Sequence, residues 1–171
     1  LMYQAILDHP RRREFDLSNL RTCIYTMAPM GRPLLERAMA DMCPNFVLSS
    51  GQTEMYPATT MSQPDRQLER FGNYWGESLI VNETAIMDDN GNLLPRGQVG
   101  ELVHRGPNVM MGYYKDPKAT EEARKFGWHH TGDLALIDEH GEVLFLDRKK
   151  DMIKSGGENV ASVKIEETLL A

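Results

Sequence analysis

Apolar positions in the first part of the chain alternate between runs typical of strands and a spacing typical of a helix. Residues 20–26 and 46–49 are rich in apolar, β-branched and aromatic side chains, which predicts two strands. Between them, apolar side chains recur at helical spacing after Pro33, a residue suited to the first turn of a helix. Strand, helix and strand in this order predict a crossover in a parallel sheet. Ligands of such sheets bind beyond the carboxyl ends of the strands, here residues 26–29 and 50–54; an ordinary polar loop between strand and helix is the alternative for the second segment.

From about residue 68 to residue 146 the apolar runs are shorter and are separated by turn residues. Residues 85–94 and 134–146 each hold two runs around an Asp- and Gly-containing turn, which predicts two hairpins. Residues 100–106 predict another strand, and Asp116 predicts the N-cap of a short helix. The fold class expected is therefore α/β plus β, with mostly antiparallel strands in the second segment.

Composition and charge narrow the classes of function. The chain has 171 residues, 41% of them apolar and 26% charged, and a formal net charge of −6. The negative charge argues against general nucleic-acid binding, and no apolar run is long enough to span a membrane. Cys23 and Cys43 lie in apolar surroundings, which favours core thiols of a cytoplasmic protein; a disulfide is the alternative.

Two polar stretches, residues 128–133 and residues 147–159, say most about function. The carboxylate of Asp133, after a Thr-Gly pair, can accept hydrogen bonds from ribose hydroxyls, and Arg148 can brace ribose or phosphate. Between residues 148 and 164 five basic residues accompany two acidic ones, so the net charge there is +5 − 2 = +3. Basic charge beside a Gly-rich loop favours an anionic ligand such as phosphate; a solvated linker is the alternative.

Four stretches of the chain resemble motifs of the adenylate-forming (AMP-binding) superfamily, which includes acyl-CoA synthetases, firefly-type luciferases and the adenylation domains of nonribosomal peptide synthetases. Residues 50–54 resemble its Tyr-Gly-x-Thr-Glu motif, and residues 100–114 its Gly-Glu-Leu…Gly-Tyr segment. Residues 128–133 resemble its Thr-Gly-Asp motif, and residues 147–159 its hinge motif. Each match alone is weak evidence, but together they keep the family's order and cover most of the chain.

The resemblance implies a division of the chain. Residues 1–67 would hold the parallel βαβ part of a large N-terminal AMP-binding domain, and residues 68–146 its antiparallel, distorted barrel-like subdomain. Residues 147–171 would be the hinge and the truncated start of a small C-terminal domain. Both ends fall within helix-like sequence, so we expect a piece of a longer protein. The apolar side chains of the last helix would be mobile or buried against a neighbouring copy, which makes a homo-oligomer a candidate.

The resemblance also implies a two-step ligation. A carboxylate attacks the α-phosphate of ATP, held with Mg²⁺, to give an acyl adenylate and pyrophosphate, and the thiol of CoA then displaces AMP. The implied ligands are a small-molecule carboxylic acid, ATP/AMP, Mg²⁺ and CoA as cosubstrate. The hinge and the Trp-His-His-Thr-Gly-Asp run look more like acyl-CoA synthetases than peptide-synthetase domains, which favours a CoA ligase for a fatty or aromatic acid.

Residues of the matching motifs receive roles from the resemblance. Thr53 would hydrogen-bond the α-phosphate, and Glu54 would hold Mg²⁺, a cation that prefers oxygen ligands, so these two are the implied catalytic residues. Asp133 would hold the ribose hydroxyls, with Arg148 supporting the ribose. The whole implied nucleotide-binding set is Ala28, Ser50, Gly51, Gln52, Thr53, Asp133 and Arg148.

The last segment is implied to serve the second step. Lys150 falls at the family's hinge position, where the C-terminal domain swings between adenylation and thioester formation; a plain surface lysine is the alternative. Ser155, Gly156, Gly157 and Glu158 would lie beside the tunnel that receives the pantetheine arm of CoA.

Two positions depart from the family's pattern. Ser50 stands where the family has an aromatic residue that stacks on adenine, so Tyr56 or Trp75 would have to supply a flat surface. Met27 stands where the family often has glycine, and its flexible side chain suits an apolar acyl group. Met27, Trp75 and Gly76 are the implied acyl-pocket candidates; hydrophobic packing is the alternative for Trp75.

Two parts of the family's machinery find no match in this chain, the Ser/Thr/Gly-rich phosphate loop and the catalytic lysine. We therefore expect the chain by itself to be inactive, although its parent would be an acid–thiol ligase. The alternatives are a non-catalytic nucleotide-binding or scaffold member and an adenylation domain that loads another thiol carrier. His129 and His130 are adjacent on a predicted strand and should point to opposite faces, which argues against a shared metal ion.

Overall fold

The computed structural model describes residues 2–26, 30–151, 153–155 and 158–160, with side chains described as far as residue 151. The helices of this part of the chain are α1 (Met2–Asp8), α2 (Arg32–Asp41) and α3 (Pro117–Glu122). The strands are β1 (Cys23–Thr26), β2 (Phe46–Gln52), β3 (Met55–Met61), β4 (Tyr74–Ser78), β5 (Glu83–Met87), β6 (Gly100–Arg105), β7 (His129–Ile137), β8 (Val143–Arg148), β9 (Ile153–Ser155) and β10 (Glu158–Val160). None of the described helices combines the length and apolar character that a membrane span requires.

Eight of these strands form one mixed sheet, in the order β1-β2-β3-β4-β8-β7-β6-β5. β1 and β2 are parallel and α2 connects them, so the predicted strand-helix-strand unit is confirmed. The remaining neighbours in the sheet are antiparallel, as the second segment's pattern predicted. β9 and β10 form a separate antiparallel pair.

The chain does not pass from β2 into a helix, so the alternative of a strand-to-helix loop is wrong for residues 50–54. β2 continues to Gln52, and a two-residue turn at Thr53 and Glu54 leads into β3, where Met55 pairs back with Gln52. The sequence pattern gave no signal for β3, because Pro57 in its middle argues against a strand. The motif therefore comprises the end of β2 and the turn of a hairpin, with Thr53 and Glu54 at its tip.

Two further predictions concern the second segment. β5 pairs along its whole length with β6, whereas the predicted partner after the turn, around Leu93, contributes a single bridge to Met87. The predicted 85–94 hairpin is thus present in a short form, since Met87 and Leu93 form an antiparallel bridge and the amide of Leu94 donates to the carbonyl of Ile86 at 2.8 Å. Pro95 follows at once and cannot donate to a longer ladder. The 134–146 hairpin is confirmed as β7 and β8.

The core has two main clusters. Leu7, Cys23, Leu35, Ala38, Cys43 and Phe46 pack where α1 and α2 cover β1 and β2. Leu48, Trp75, Ile86, Leu102, Ala135 and Val143 form the second cluster, which joins strands from β2 to β8. Both cysteines are buried, free thiols, which confirms the prediction that they belong to the core.

Candidate functional site

A cavity of about 710 Å³ opens where β1, β2 and β8 end and β7 begins. Its lining consists of Thr26, Ser49, Ser50, Gly51, Gln52, Thr53, Glu54, Tyr56, Pro57, Tyr113, His129, His130, Thr131 and Arg148. The carboxyl ends of the parallel strands β1 and β2 meet here, which is the place where open α/β sheets bind ligands. Most residues of the predicted nucleotide-binding set therefore share one cavity.

The hairpin tip forms one side of the cavity. Thr53 is exposed at the turn, and Glu54 is partly buried beside it. The hydroxyl of Tyr113 donates a hydrogen bond to Glu54 Oε1 at 2.8 Å, and the backbone amide of Met110 donates to the carbonyl oxygen of Glu54 at 2.7 Å. Tyr113 lies in the 100–114 motif, but sequence analysis assigned it no role. It fixes the direction of the Glu54 carboxylate.

Residues 131–133, here called the Thr-Gly-Asp turn, form the opposite side. The hydroxyl of Thr131 donates to the carbonyl of Leu102 at 2.8 Å and accepts a hydrogen bond from the backbone amide of Asp133 at 3.0 Å. Gly132 has a φ of +74°, a backbone conformation that residues with a side chain rarely adopt. This conformation turns the chain within β7. The turn is thereby fixed to β6 and presents Asp133 towards β8.

A β-bulge places Arg148 opposite Asp133. In the register set by Ile137 and Val143, residue 147 would face Asp133, but the register shifts by one between Leu134 and Ala135. Directly opposed residues share a face of the sheet, and Arg148 Nε lies 2.9 Å from Asp133 Oδ1. The structure thus brings together two residues that the sequence assigned to one site.

The carboxylate of Asp133 is buried, which disfavours its charged form. Its side chain is 2% exposed, and burial raises its pKa, an effect that the nearby Arg148 only partly offsets. Although Arg148 Nε is close, Oδ1 accepts no aligned hydrogen bond from the described residues. Asp133 is not itself among the lining residues; Gln52 and Arg148, which are, stand between it and the cavity. Oδ1 is therefore a buried acceptor that is ion-paired with Arg148 but receives no aligned hydrogen bond.

The side-chain amide of Gln52 crosses from β2 to β7. Its nitrogen donates to the carbonyl of Thr131 at 3.0 Å and to Asp133 Oδ2 at 3.3 Å. Its oxygen lies 2.9 Å from Nε2 of His129. Gln52, predicted only as part of a nucleotide-binding motif, thus connects both sides of the cavity. His129 is part of this hydrogen-bond network, and no sequence pattern indicated that.

Glu101 holds the other face of the Thr-Gly-Asp turn. Its Oε1 accepts a hydrogen bond from the backbone amide of Gly132 at 3.1 Å, and its Oε2 lies 3.1 Å from His130 Nδ1 and 3.0 Å from Lys149 Nζ. Burial opposes ionisation of Glu101, but the bonds from His130 and Lys149 outweigh it, and the pKa is lowered. His129 and His130 therefore reach different partners, in agreement with the prediction that they point to opposite faces.

Two acyl-pocket candidates lie in the packed interior. Trp75 is 4% exposed and stacks on Phe145 with ring centroids 4.5 Å apart. A Cβ at Gly76, whose φ is +81°, would lie 2.1 Å from the carbonyl carbon of Met61, so glycine here allows β4 to approach β3. Neither residue lines the cavity described above. Their surroundings match the hydrophobic-packing alternative.

Ser50 does not offer a flat surface to the cavity. Its hydroxyl is 3.1 Å from Thr59 Oγ1 and 2.6 Å from Thr60 Oγ1, within a buried group of hydroxyls between β2 and β3. Tyr56, by contrast, lines the cavity and is 80% exposed. Of the two aromatic residues considered in place of the missing one, Tyr56 is the one with an accessible ring beside the cavity.

Several predicted positions fall in or beside the last segment or outside the described residues. Met27, Ala28, Gly156 and Gly157 lie outside the described residues. The backbones of Ser155 and Glu158 pair with each other in the β9–β10 ladder.

Lys150 is exposed in the turn that follows β8. That placement fits both alternatives for this residue, the hinge and the plain surface lysine.

The described residues hold no group of three or more His, Cys, Asp or Glu side chains arranged for a metal ion. Glu54 is thus a single carboxylate at the cavity. Mg²⁺ in nucleotide sites is bound by one or two carboxylates together with phosphate oxygens and water, so one carboxylate fits an ion that arrives with the nucleotide.

Comparison with known proteins identifies the family. A mixed sheet with a polar cavity at the carboxyl ends of its parallel strands defines an α/β ligand-binding protein. Residues 1–114 match the model of the AMP-binding enzyme family, and the chain belongs to that family. A feruloyl-CoA synthase of Amycolatopsis is 40% identical over 168 residues, which are 98% of this chain and 34% of that protein.

Solved structures confirm the fold class. The O-succinylbenzoate coenzyme A synthetase of Bacillus subtilis, in complex with ATP and magnesium ion, matches with a TM-score of 0.86 and 30% identity over 99% of this chain and 34% of that one. An amide bond synthetase of Marinactinospora thermotolerans matches with a TM-score of 0.81 and 33% identity, over 95% of this chain and 33% of that one. The chain spans about a third of the length of the relatives it matches.

Proposed function

We propose that this chain is the nucleotide-binding part of an ATP-dependent acid–thiol ligase, an acyl-CoA synthetase. In the first step a carboxylate oxygen forms a bond to the α-phosphorus of ATP while the bond to pyrophosphate breaks. In the second step the sulfur of CoA bonds to the acyl carbon, AMP leaves, and the thiol proton is released. Family membership and the cavity at the sheet edge support this proposal.

The observation that carries the proposal is Oδ1 of Asp133, which is buried, ion-paired with Arg148 and without an aligned hydrogen bond. A buried carboxylate oxygen that lacks an aligned hydrogen bond is costly, and a ribose hydroxyl is a donor that would supply one. Arg148 stands between Oδ1 and the cavity, and its side chain is 41% exposed, so it can turn aside towards solvent when ribose binds. We assign Asp133 to the ribose hydroxyls and Arg148 to the edge of the ribose site.

The hairpin tip suits the phosphates. Thr53 is a hydroxyl donor at the exposed turn, and the carboxylate of Glu54 is held by Tyr113 at the cavity wall. We propose that Thr53 binds the α-phosphate and that Glu54 contributes one oxygen ligand to the Mg²⁺ carried by ATP. Bound there, the ion would neutralise charge at the phosphates, while this chain's residues position the reacting groups.

The acid is proposed to be a fatty or aromatic carboxylic acid, and the acceptor the thiol of CoA. The feruloyl-CoA synthase among the relatives supports an acyl-CoA product. Another relative is an amide bond synthetase, so the test has to compare a thiol with an amine as acceptor. We further propose that Lys150 is the hinge and that residues 155–158 approach CoA in the second step.

The test uses the protein that carries this chain. Pyrophosphate exchange is measured with a panel of fatty and aromatic acids, followed by product analysis with CoA or a primary amine as acceptor. We expect acid-dependent exchange and a CoA thioester. Binding of AMP without exchange for any acid would favour a non-catalytic nucleotide-binding protein, and an amide product would contradict the thiol acceptor. The isolated chain, assayed in parallel, is expected to show no exchange.

A further inference from the structure

Gln52 has a fixed amide orientation, which follows from its partners. The carbonyl of Thr131 can only accept a hydrogen bond, so the group 3.0 Å from it must be the amide nitrogen of Gln52. The same nitrogen lies 3.3 Å from Asp133 Oδ2, which also accepts. The amide oxygen is thereby directed to the opposite side, towards His129.

The orientation of Gln52 also fixes the tautomer of His129. Its Nε2 lies 2.9 Å from the oxygen of Gln52, so Nε2 must carry the hydrogen and donate. Its Nδ1 has no hydrogen-bond partner among the described residues, as expected for the nitrogen without hydrogen. His129 is 3% exposed, and burial lowers its pKa despite the opposing effect of Glu54, so the neutral ring is favoured.

We propose that His129 is a positioning residue of the nucleotide site, which acts through Gln52 to hold the carboxylate of Asp133 in place for the ribose. Oδ2 of Asp133 is bound by Gln52, and Oδ1, which is ion-paired with Arg148 but receives no aligned hydrogen bond, is left as the acceptor for a ribose hydroxyl. Without the donor from His129, the oxygen of Gln52 would be unpaired in a buried place, and the amide would be free to turn away from Asp133. The inference rests on the proposed function, because it assigns a supporting residue to the same ribose site.

No role of this kind follows from the Trp-His-His-Thr-Gly-Asp motif alone. The chain separates Gln52 from His129 by 77 positions, and they meet only because the tip of β2 faces the start of β7. A purely structural histidine would predict the same contact. The two possibilities differ in whether losing the contact affects ligands that carry ribose hydroxyls more than ligands that lack them.

The experiment measures binding of AMP and of 2′,3′-dideoxy-AMP by calorimetry to the protein that carries this chain. His129→Phe keeps a ring but removes the donor, and His129→Gln keeps an NH donor near the place of Nε2. We expect His129→Phe to weaken AMP binding about three- to tenfold, the worth of a hydrogen bond of about 1 kcal/mol, while dideoxy-AMP changes less than about twofold. His129→Gln should restore most of the affinity for AMP. His140→Phe, in the exposed turn after β7, is the matched control and should bind both ligands as wild type does.

Equal losses for AMP and dideoxy-AMP, or no rescue by glutamine, would overturn the proposal and leave His129 as a packing residue. If wild type binds no AMP, the proposed function itself fails, which is a different result from AMP binding that ignores His129. A measurement that needs no variant is the ¹⁵N chemical shifts of the His129 ring: hydrogen on Nε2 supports the proposal, and hydrogen on Nδ1 contradicts it.

Discussion

Two carboxylates flank the Thr-Gly-Asp turn, and their surroundings differ. Glu101, on β6, has both oxygens paired, with the amide of Gly132, the ring of His130 and the ammonium of Lys149. Asp133, on β7, has one oxygen held by Gln52 and the other without an aligned hydrogen bond. The pKa of Glu101 is lowered by its partners, whereas burial raises that of Asp133.

The difference separates a carboxylate whose two oxygens are both compensated from one that, in the proposed function, receives a further donor from a ligand. A paired carboxylate stabilises the folded state, because its charge is compensated by groups already in place. A buried carboxylate with an unpaired oxygen costs folding free energy unless a ligand supplies the missing donor. The turn is therefore fixed from the Glu101 side, and the Asp133 side is the one that we propose receives the ligand.

The largest expected effect is on ligand binding at Asp133. Asp133→Ala should weaken AMP binding about ten- to one-hundredfold, because hydrogen bonds to a charged group contribute about 1.5–3 kcal/mol. Unfolding by urea should show little loss of stability, since the cost of burying the charge offsets its pairing with Arg148 and Gln52, and Arg148 can turn to solvent. Asp65→Ala, at an exposed turn, is the control for both measurements. A stability loss as large as the binding loss would mean that Asp133 holds the fold as Glu101 does.

Glu101→Gln should show the reverse pattern. We expect it to lower the free energy of unfolding by about 1–2 kcal/mol, because the bonds from Lys149 and His130 lose their charged acceptor. AMP binding should weaken by only about threefold, through a less firmly held Gly132. The control is Glu69→Gln, an exposed carboxylate. If Glu101→Gln abolished AMP binding without destabilising the protein, Glu101 would have to be counted as a ligand-binding group.

Acid titration sharpens the comparison, since the two pKa shifts have opposite signs. For Glu101 the folded-state pKa lies below the unfolded one, so its stabilisation is present above the unfolded pKa and is lost as pH falls through the folded pKa. For Asp133 the folded-state pKa is raised, so the folded state gains relative stability as pH falls through that value. As pH falls below about 4.5, the unfolded-state pKa of Glu101, the stability difference between wild type and Glu101→Gln should shrink. As pH falls through the raised pKa of Asp133, the difference between wild type and Asp133→Asn should shift in favour of wild type. Parallel pH curves for the two variants would contradict these assignments.

The sequence predicted those features of the fold and site that depend on residues close together in the chain. The strand-helix-strand unit depends on spacing within a few residues, and Asp116 caps its helix by accepting a hydrogen bond from the amide of Ala119 at 2.9 Å, as predicted. The motifs also brought Asp133 and Arg148 to one site. Their direct opposition, however, depends on a bulge that no sequence pattern announced.

Contacts between residues that are far apart in the sequence could not be predicted in this way. Glu101 and Lys149, or Gln52 and His129, meet only once the order and register of the strands are fixed, and single residues carry no signal of that register. Trp75 shows the opposite case. The family resemblance suggested an acyl pocket at this residue, but its ring is buried and stacks on Phe145 within the core.

The smallest expected effect concerns Lys149, whose ammonium group contacts the carboxylates of both Glu101 and Asp89. Its Nζ lies 3.0 Å from Glu101 Oε2 and 2.7 Å from Asp89 Oδ1, but the side chain of Asp89 is 84% exposed, against 12% for Glu101. Exposed ion pairs contribute little because water screens them, so the shorter distance should not be the stronger contact. Double-mutant cycles with Lys149→Met should give a coupling of about 0.5–1 kcal/mol with Glu101→Gln and less than about 0.5 kcal/mol with Asp89→Asn. The opposite order would place the main anchor of Lys149 on the exposed turn and would remove it from the support of the Thr-Gly-Asp turn.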